Sequence, residues 1–168
     1  MIALDYLAAL GSLYLFAVTW PLSRIDIREH RLPNKFVLPA YPITLVGFLP
    51  AAMFNQGWIR FSLAICAALV AFMIGFLLNR YGSLGMGDVK LIAATTMSLA
   101  WFNLASPLVA LVLGFVVAAI FIFIQLIRGR SNLKESIALG PYLLFGFVVT
   151  QILTWSSYFG GLTPNFLM

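Results

Sequence analysis

Gly85-Met86-Gly87-Asp88-Val89-Lys90 sets a carboxylate between a glycine-punctuated turn and the start of an apolar run, Leu91-Ile92-Ala93-Ala94. An ionisable group beside hydrocarbon is costly, roughly 2.5–3.5 kcal/mol for Asp in a spanning helix on insertion scales. Asp88 therefore has a use or a partner there, or it is the tip of a short polar loop that faces water. Glycines at 85 and 87 suit the first option, because glycine reaches positive φ and lets another backbone or a water come close. Two questions decide between the options: whether Asp88 borders a membrane, and whether a second carboxylate shares its side.

The composition answers the first. The chain has 168 residues, 62% hydrophobic and only 9% charged, with mean hydropathy +1.02. A soluble domain carries about 25% charged residues. Apolar stretches long enough to cross a bilayer recur along the sequence. They predict an all-α, polytopic integral membrane protein, one membrane-embedded domain over 1–168. Six spans are expected, at about 3–22, 36–54, 61–78, 88–103, 107–127 and 138–155. The fourth is short. Fifteen helical residues rise only about 22 Å against a hydrocarbon core of about 30 Å, so its start near Asp88 stays close to membrane depth.

Basic residues set the expected orientation. Arg24, Arg28, Arg31 and Lys35 lie between the first two spans, Arg80 and Lys90 between the third and fourth, and Arg128, Arg130 and Lys134 between the fifth and sixth. Arg60 alone lies on the other side. The positive-inside rule then puts these three loops in the cytoplasm and both termini outside. The same asymmetry accounts for a net charge of +5. No nucleic-acid role is needed, and the lipid bilayer is the expected surrounding. The first span is preceded by Asp5 rather than by a basic stretch, so it reads as a retained helix and not as a signal peptide. Cys66, the single cysteine, has no partner for a disulfide and reads as a small packing residue. Gly75, Gly114 with Ala118, and Gly146 are candidates for close helix–helix contact.

The second carboxylate is then Asp26. It is expected just past the cytoplasmic end of the first span, in Asp26-Ile27-Arg28-Glu29-His30-Arg31-Leu32-Pro33-Asn34. Topology allows it to meet Asp88 in one layer. Asp5 is on the opposite face. Glu29 and Glu135 share the right face, but neither has a glycine-lined backbone beside it. Two facing carboxylates share a proton and titrate as a coupled pair. Such a pair can activate water with one member and protonate the carbonyl oxygen or leaving amine with the other. Competing chemistries lack parts. The only histidine, His30, has no ligand-type neighbours for zinc and reads as an exposed loop residue. There is no Gly-x-Ser-x-Gly elbow and no phosphate-binding glycine loop.

Gly85-Met86-Gly87-Asp88 resembles the Gly-x-Gly-Asp motif of the intramembrane GxGD aspartic peptidases. Val89-Lys90-Leu91 resembles the continuation found in the type IV prepilin peptidase branch. Asp26 followed by Leu32-Pro33-Asn34 looks like that branch's first motif, and Ala138-Leu139-Gly140-Pro141-Tyr142 is similar to a Phe-Gly-Pro segment before its last helix. The resemblance implies an enzyme that removes the short cationic leader of prepilins or pseudopilins at the cytoplasmic face of the inner membrane. Asp26 and Asp88 would be the catalytic pair, with Gly85, Gly87, Lys90, Pro33, Asn34, Gly140 and Pro141 shaping the site around the substrate backbone. Larger family members add a cytoplasmic segment, often with four cysteines, and also N-methylate the trimmed pilin. This sequence resembles instead the minimal form of tight-adherence pilus systems, so neither a metal nor S-adenosylmethionine is expected as cofactor. Two other readings compete: a small proton- or cation-coupled transporter or channel subunit, and a non-catalytic membrane protein of pilus or secretion assembly. Intramembrane acids suit a transporter, although binding sites there lie near the midplane.

Overall fold

The computed structural model describes residues 2–54, 56–82, 84–128 and 138–160. Every regular element among them is an α-helix: α1 (Ile2–Ala8), α2 (Leu10–Glu29), α3 (Asn34–Val37), α4 (Ala40–Phe54), α5 (Trp58–Arg80), α6 (Met86–Ala100), α7 (Ser106–Ile127) and α8 (Gly140–Phe159). The protein is an all-α, multi-pass membrane protein. Five stretches are long and apolar enough to cross a bilayer: Asp5–Glu29, Asn34–Phe54, Trp58–Arg80, Ser106–Ile127 and Gly140–Phe159.

The expected fourth span is the exception. α6 has 15 residues, and eleven of them, Val89 and Leu91 through Ala100, are buried by the rest of the protein. It is an enclosed helix, not a lipid-facing one. That explains how it tolerates Thr95, Thr96 and Ser98, which a lipid-exposed helix would carry at a cost. The hydroxyl of Thr95 returns to the Leu91 carbonyl within the helix. α5 and α7 are the opposite case, with most of their surface turned outward.

The first span is also longer than expected. α2 continues through Pro21 to Glu29, past the predicted end at residue 22. A proline inside a spanning helix forfeits one backbone bond that neighbouring groups can replace. The helix ends at His30, whose left-handed backbone (φ 51°) lets its N–H reach the Asp26 carbonyl. Asp26 consequently lies in the last turn of a helix, not in the loop beyond it.

Small residues set the helix spacing. A Cβ added at Gly114 would lie 3.0 Å from the Tyr142 carbonyl oxygen, and one at Gly146 would meet the Ala110 carbonyl and the Gly114 backbone. α7 and α8 therefore pack backbone to backbone, as lipid-embedded helices do where no hydrophobic force joins them. Gly75 of α5 likewise receives Val89 of α6. Cys66 corrects its expectation: it is exposed on α5 and packs against no core.

Polar pairs cross the bundle between helices. Ser12 donates to Gln151 at 3.1 Å, both fully buried, and Ser106 bonds Thr154 at 2.8 Å. Each such pair in a membrane is worth about 0.6 kcal/mol on average, so they fix register more than they supply stability. Two apolar clusters fill the interior. One gathers Leu22, Leu32, Val37, Leu91, Leu144 and Phe147. The other is built on Phe48 and Trp101, stacked with centroids 4.4 Å apart.

Candidate active site

The turn before α6 is held from outside. The Asn79 side-chain amide donates to the Leu84 carbonyl at 2.7 Å. Left-handed backbone falls at Gly82 (φ 74°). Gly85 itself is extended, φ −69° and ψ 142°, so the motif glycine is not there for positive φ. It is there for space: a Cβ at Gly85 would lie 3.0 Å from Asp88 Oδ2. Asp88 sits in the first turn of α6. A carboxylate there meets the positive end of the helix dipole.

Gly87 serves a different contact. Its Cβ would come within 2.8 Å of Leu32 Cβ and 3.4 Å of the Leu32 backbone nitrogen. Leu32, buried among charged neighbours, is thus the bolt between the segment after α2 and the start of α6. Pro33 then caps α3 in extended geometry, and Asn34 begins that helix. Lys90 Nζ donates to Asn34 Oδ1 at 3.0 Å, and the Lys90 carbonyl accepts from the Tyr41 hydroxyl at 2.8 Å.

Asp26 is buried, with 4% of its surface exposed. The N–H of Gly140, the first residue of α8, donates to its Oδ2 at 2.9 Å. A Cβ at Gly140 would lie 2.6 Å from that same oxygen and 3.1 Å from Leu32 Cδ2. Only glycine brings the helix start this close. Pro141 occupies the first turn of α8, where its missing N–H costs no helix bond.

Asp26 and Asp88 meet at one cavity of about 270 Å³, lined also by His30, Arg31, Leu32, Gly85, Met86 and Gly87. They come from different helices and lie close enough for the charge of one to act on the other. Of the residues singled out from the sequence, Asp26, Asp88, Gly85 and Gly87 line this cavity, and Gly140 reaches it by holding Asp26. Pro33, Asn34, Lys90 and Pro141 do not line it. They shape the elements that do. His30 and Arg31 border the cavity from exposed positions, so His30 is nearer the aspartates than an ordinary loop residue would be. Glu29 is exposed on the last turn of α2, and Glu135 lies outside the described residues. Sequence reasoning missed Asn79 and the packing role of Leu32. The one signal for Leu32 was an apolar residue inside a charged run; nothing marked Asn79.

Comparison with known proteins adds an independent line. Residues 13–160 match the model of the Type IV leader peptidase family. The chain belongs to that family. Similar proteins named prepilin leader peptidase/N-methyltransferase occur in Burkholderia pseudomallei, 29% identical over 172 residues, and in Escherichia coli K12, 31% identical over 159 residues. The alignments cover 96% and 88% of this chain but 49% and 66% of those proteins. The chain thus spans about half the length of the Burkholderia relatives it matches. No solved structure matches it.

Proposed function

We propose that this protein is an intramembrane aspartic endopeptidase that removes the leader peptide of prepilins or pseudopilins. The observation that carries the proposal is the pair Asp26 and Asp88, delivered by two helices to one cavity within a member of the leader peptidase family. One carboxylate, ionised, takes a proton from water as the oxygen adds to the scissile carbonyl carbon. The other, protonated, gives its proton to the carbonyl oxygen. The first, now protonated, donates to the amide nitrogen as the C–N bond breaks. The carbonyl re-forms and returns a proton to the second. Acid and base exchange roles, and the pair ends as it began.

The basic loops support a cytoplasmic position for this cavity, in the inner membrane, where a leader would be presented. Cationic side chains around Asp26 serve topology and anionic lipid first, since a positively charged leader would be repelled by them. No group of three metal-ligating side chains occurs among the described residues, and none of the steps above calls for one. We restrict the proposal to peptide hydrolysis; the N-methyltransferase in the relatives' names is a separate chemistry.

The test is co-expression with a tagged prepilin from the same genome and measurement of its mass. Wild type should remove the leader, and Asp26→Asn or Asp88→Asn should leave it in place while inserting normally. Excess chelator should not slow cleavage. Wild-type rates from either substituted enzyme would overturn the two-aspartate mechanism.

A further inference from the structure

The aspartate cavity holds a histidine as well. His30 lines it together with Asp26, Asp88 and Arg31. The backbone brings it there. α2 ends on His30 in left-handed geometry, φ 51° and ψ 37°, and the His30 N–H donates to the Asp26 carbonyl at 2.8 Å. Left-handed backbone is uncommon outside glycine, with asparagine, aspartate and histidine the residues that adopt it most readily. The turn ties His30 to the residue four positions earlier and keeps it at the cavity. The imidazole and the Asp26 carboxylate are near enough for their charges to act on each other.

We infer that His30 is a positioning residue for the proposed reaction: in its protonated form it holds the single negative charge of the aspartate pair in place, acting through Asp26 and not on the substrate. The inference rests on the peptidase reading above and deepens it. In that reading the working pair carries one proton and one negative charge. Acid removes the charge, and activity goes with it. A cation in the same cavity opposes that loss. Histidine as a residue type changes its charge between about pH 5 and 8. The cation is therefore present where the pair is about to take up a second proton, and absent where it is about to lose its only one. A permanent cation at this position would also favour the doubly ionised pair, which has no proton to give.

The charged groups around His30 do not share this property. Arg31 borders the cavity but keeps its charge at every working pH. Arg28 and Glu29 are exposed on the last turn of α2 and do not line the cavity. On α3, Lys35 Nζ lies 5.2 Å from the centroid of the Phe36 ring. On α6, besides Asp88, Lys90 Nζ donates to Asn34. α8 begins Gly140-Pro141-Tyr142 and carries no charged side chain. A plain helix cap is the competing role for His30. Asparagine separates the two, because it suits the left-handed backbone and carries no charge at any pH.

The experiment measures kcat/KM for prepilin cleavage from about pH 4.5 to 9 with the purified full chain, as wild type, His30→Asn, His30→Lys and Arg28→Gln, with thermal unfolding of each in parallel. In His30→Asn the acid limb should move up by about 0.3–0.7 pH unit, the size expected for an exposed charge pair. Cleavage at the foot of that limb then falls two- to five-fold, while rates above about pH 7.5 match wild type. His30→Lys should keep the wild-type acid limb and move the basic limb down. Arg28→Gln, which removes a cation outside the cavity, should leave the acid limb within about 0.1 unit of wild type, a fraction of the His30→Asn shift. A His30→Asn profile equal to wild type, or lowered by one factor at every pH, overturns the role of His30 and leaves the peptidase reading intact. An equal shift from Arg28→Gln, or an acid limb that His30→Lys does not restore, does the same. If wild type leaves every prepilin of its own genome uncut, both readings fall together.

Discussion

Three aspartates occur among the described residues, and they sit at two ends of one bundle. Asp5 at the far end is 8% exposed and accepts from the Tyr158 hydroxyl at 3.0 Å. Arg60 donates to that hydroxyl at 2.6 Å, and Tyr6 stacks on Phe159 alongside. Asp26, some 21 residues on and so roughly 30 Å away along the helices, is as deeply buried. It is held by a backbone N–H and faces a cavity and a second carboxylate. Burial alone does not separate these groups. What separates them is where the remaining lone pairs point: toward side chains that complete a clasp in one case, toward open volume in the other.

The sharpest way to break this contrast is to neutralise the acids one at a time. Asp26→Asn and Asp88→Asn should each lower prepilin cleavage by about 10³-fold or more, in line with the 10²–10⁴ typical of positioned acids and bases. Comparable loss from Asp5→Asn, at equal protein level, would erase the distinction. Next in size is Gly140→Ala. Its methyl would press on Asp26 Oδ2, and a displaced catalytic group costs about 10²-fold. The expected result is a lower kcat in a protein that still inserts and resists proteolysis. Wild-type kcat would mean that α8 does not position the carboxylate.

The far end should respond in stability instead. Asp5→Ala removes the acceptor of the half-buried Tyr158 hydroxyl, a loss of about 1 kcal/mol. Thermal unfolding in detergent should show it, with cleavage per folded enzyme unchanged. The smallest effect belongs to Asn34→Ala. Its bond to Lys90 is exposed, so less than about 1 kcal/mol is expected, with a few-fold change in cleavage read from initial rates.

The contrast also marks how far the sequence could be read. Class, the spans that became α5 and α7, and the shared side of Asp26 and Asp88 followed from hydropathy, charge and two short motifs. Those are local signals, repeated along the chain. The end of α2 did not follow, because Pro21 and a cluster of arginines signal a stop that tertiary packing overrides. α6 was expected as a span because its apolar content resembles one. Its enclosure depends on six other helices and leaves no mark in its own fifteen residues. The meeting of Gly140 with Asp26 joins positions 114 residues apart, and no periodicity reports that. Gly85 was open to two explanations, positive φ or a missing side chain, and only the second applies to its extended backbone.

The enclosure of α6 has a consequence for how the protein is made. Alone, a fifteen-residue helix with an acid, a lysine and three hydroxyl residues has little to keep it in a bilayer. Its neighbours on both sides in the chain must hold it there. α8, which brings the Gly140 N–H to Asp26, is the last of these helices to leave the ribosome. A nascent chain halted before α8 would carry both aspartates in the membrane without the contact that holds the first in place. On the proposed reading, proteolytic competence would then arrive only after the last helix has docked, sparing the membrane a peptidase that is still under construction.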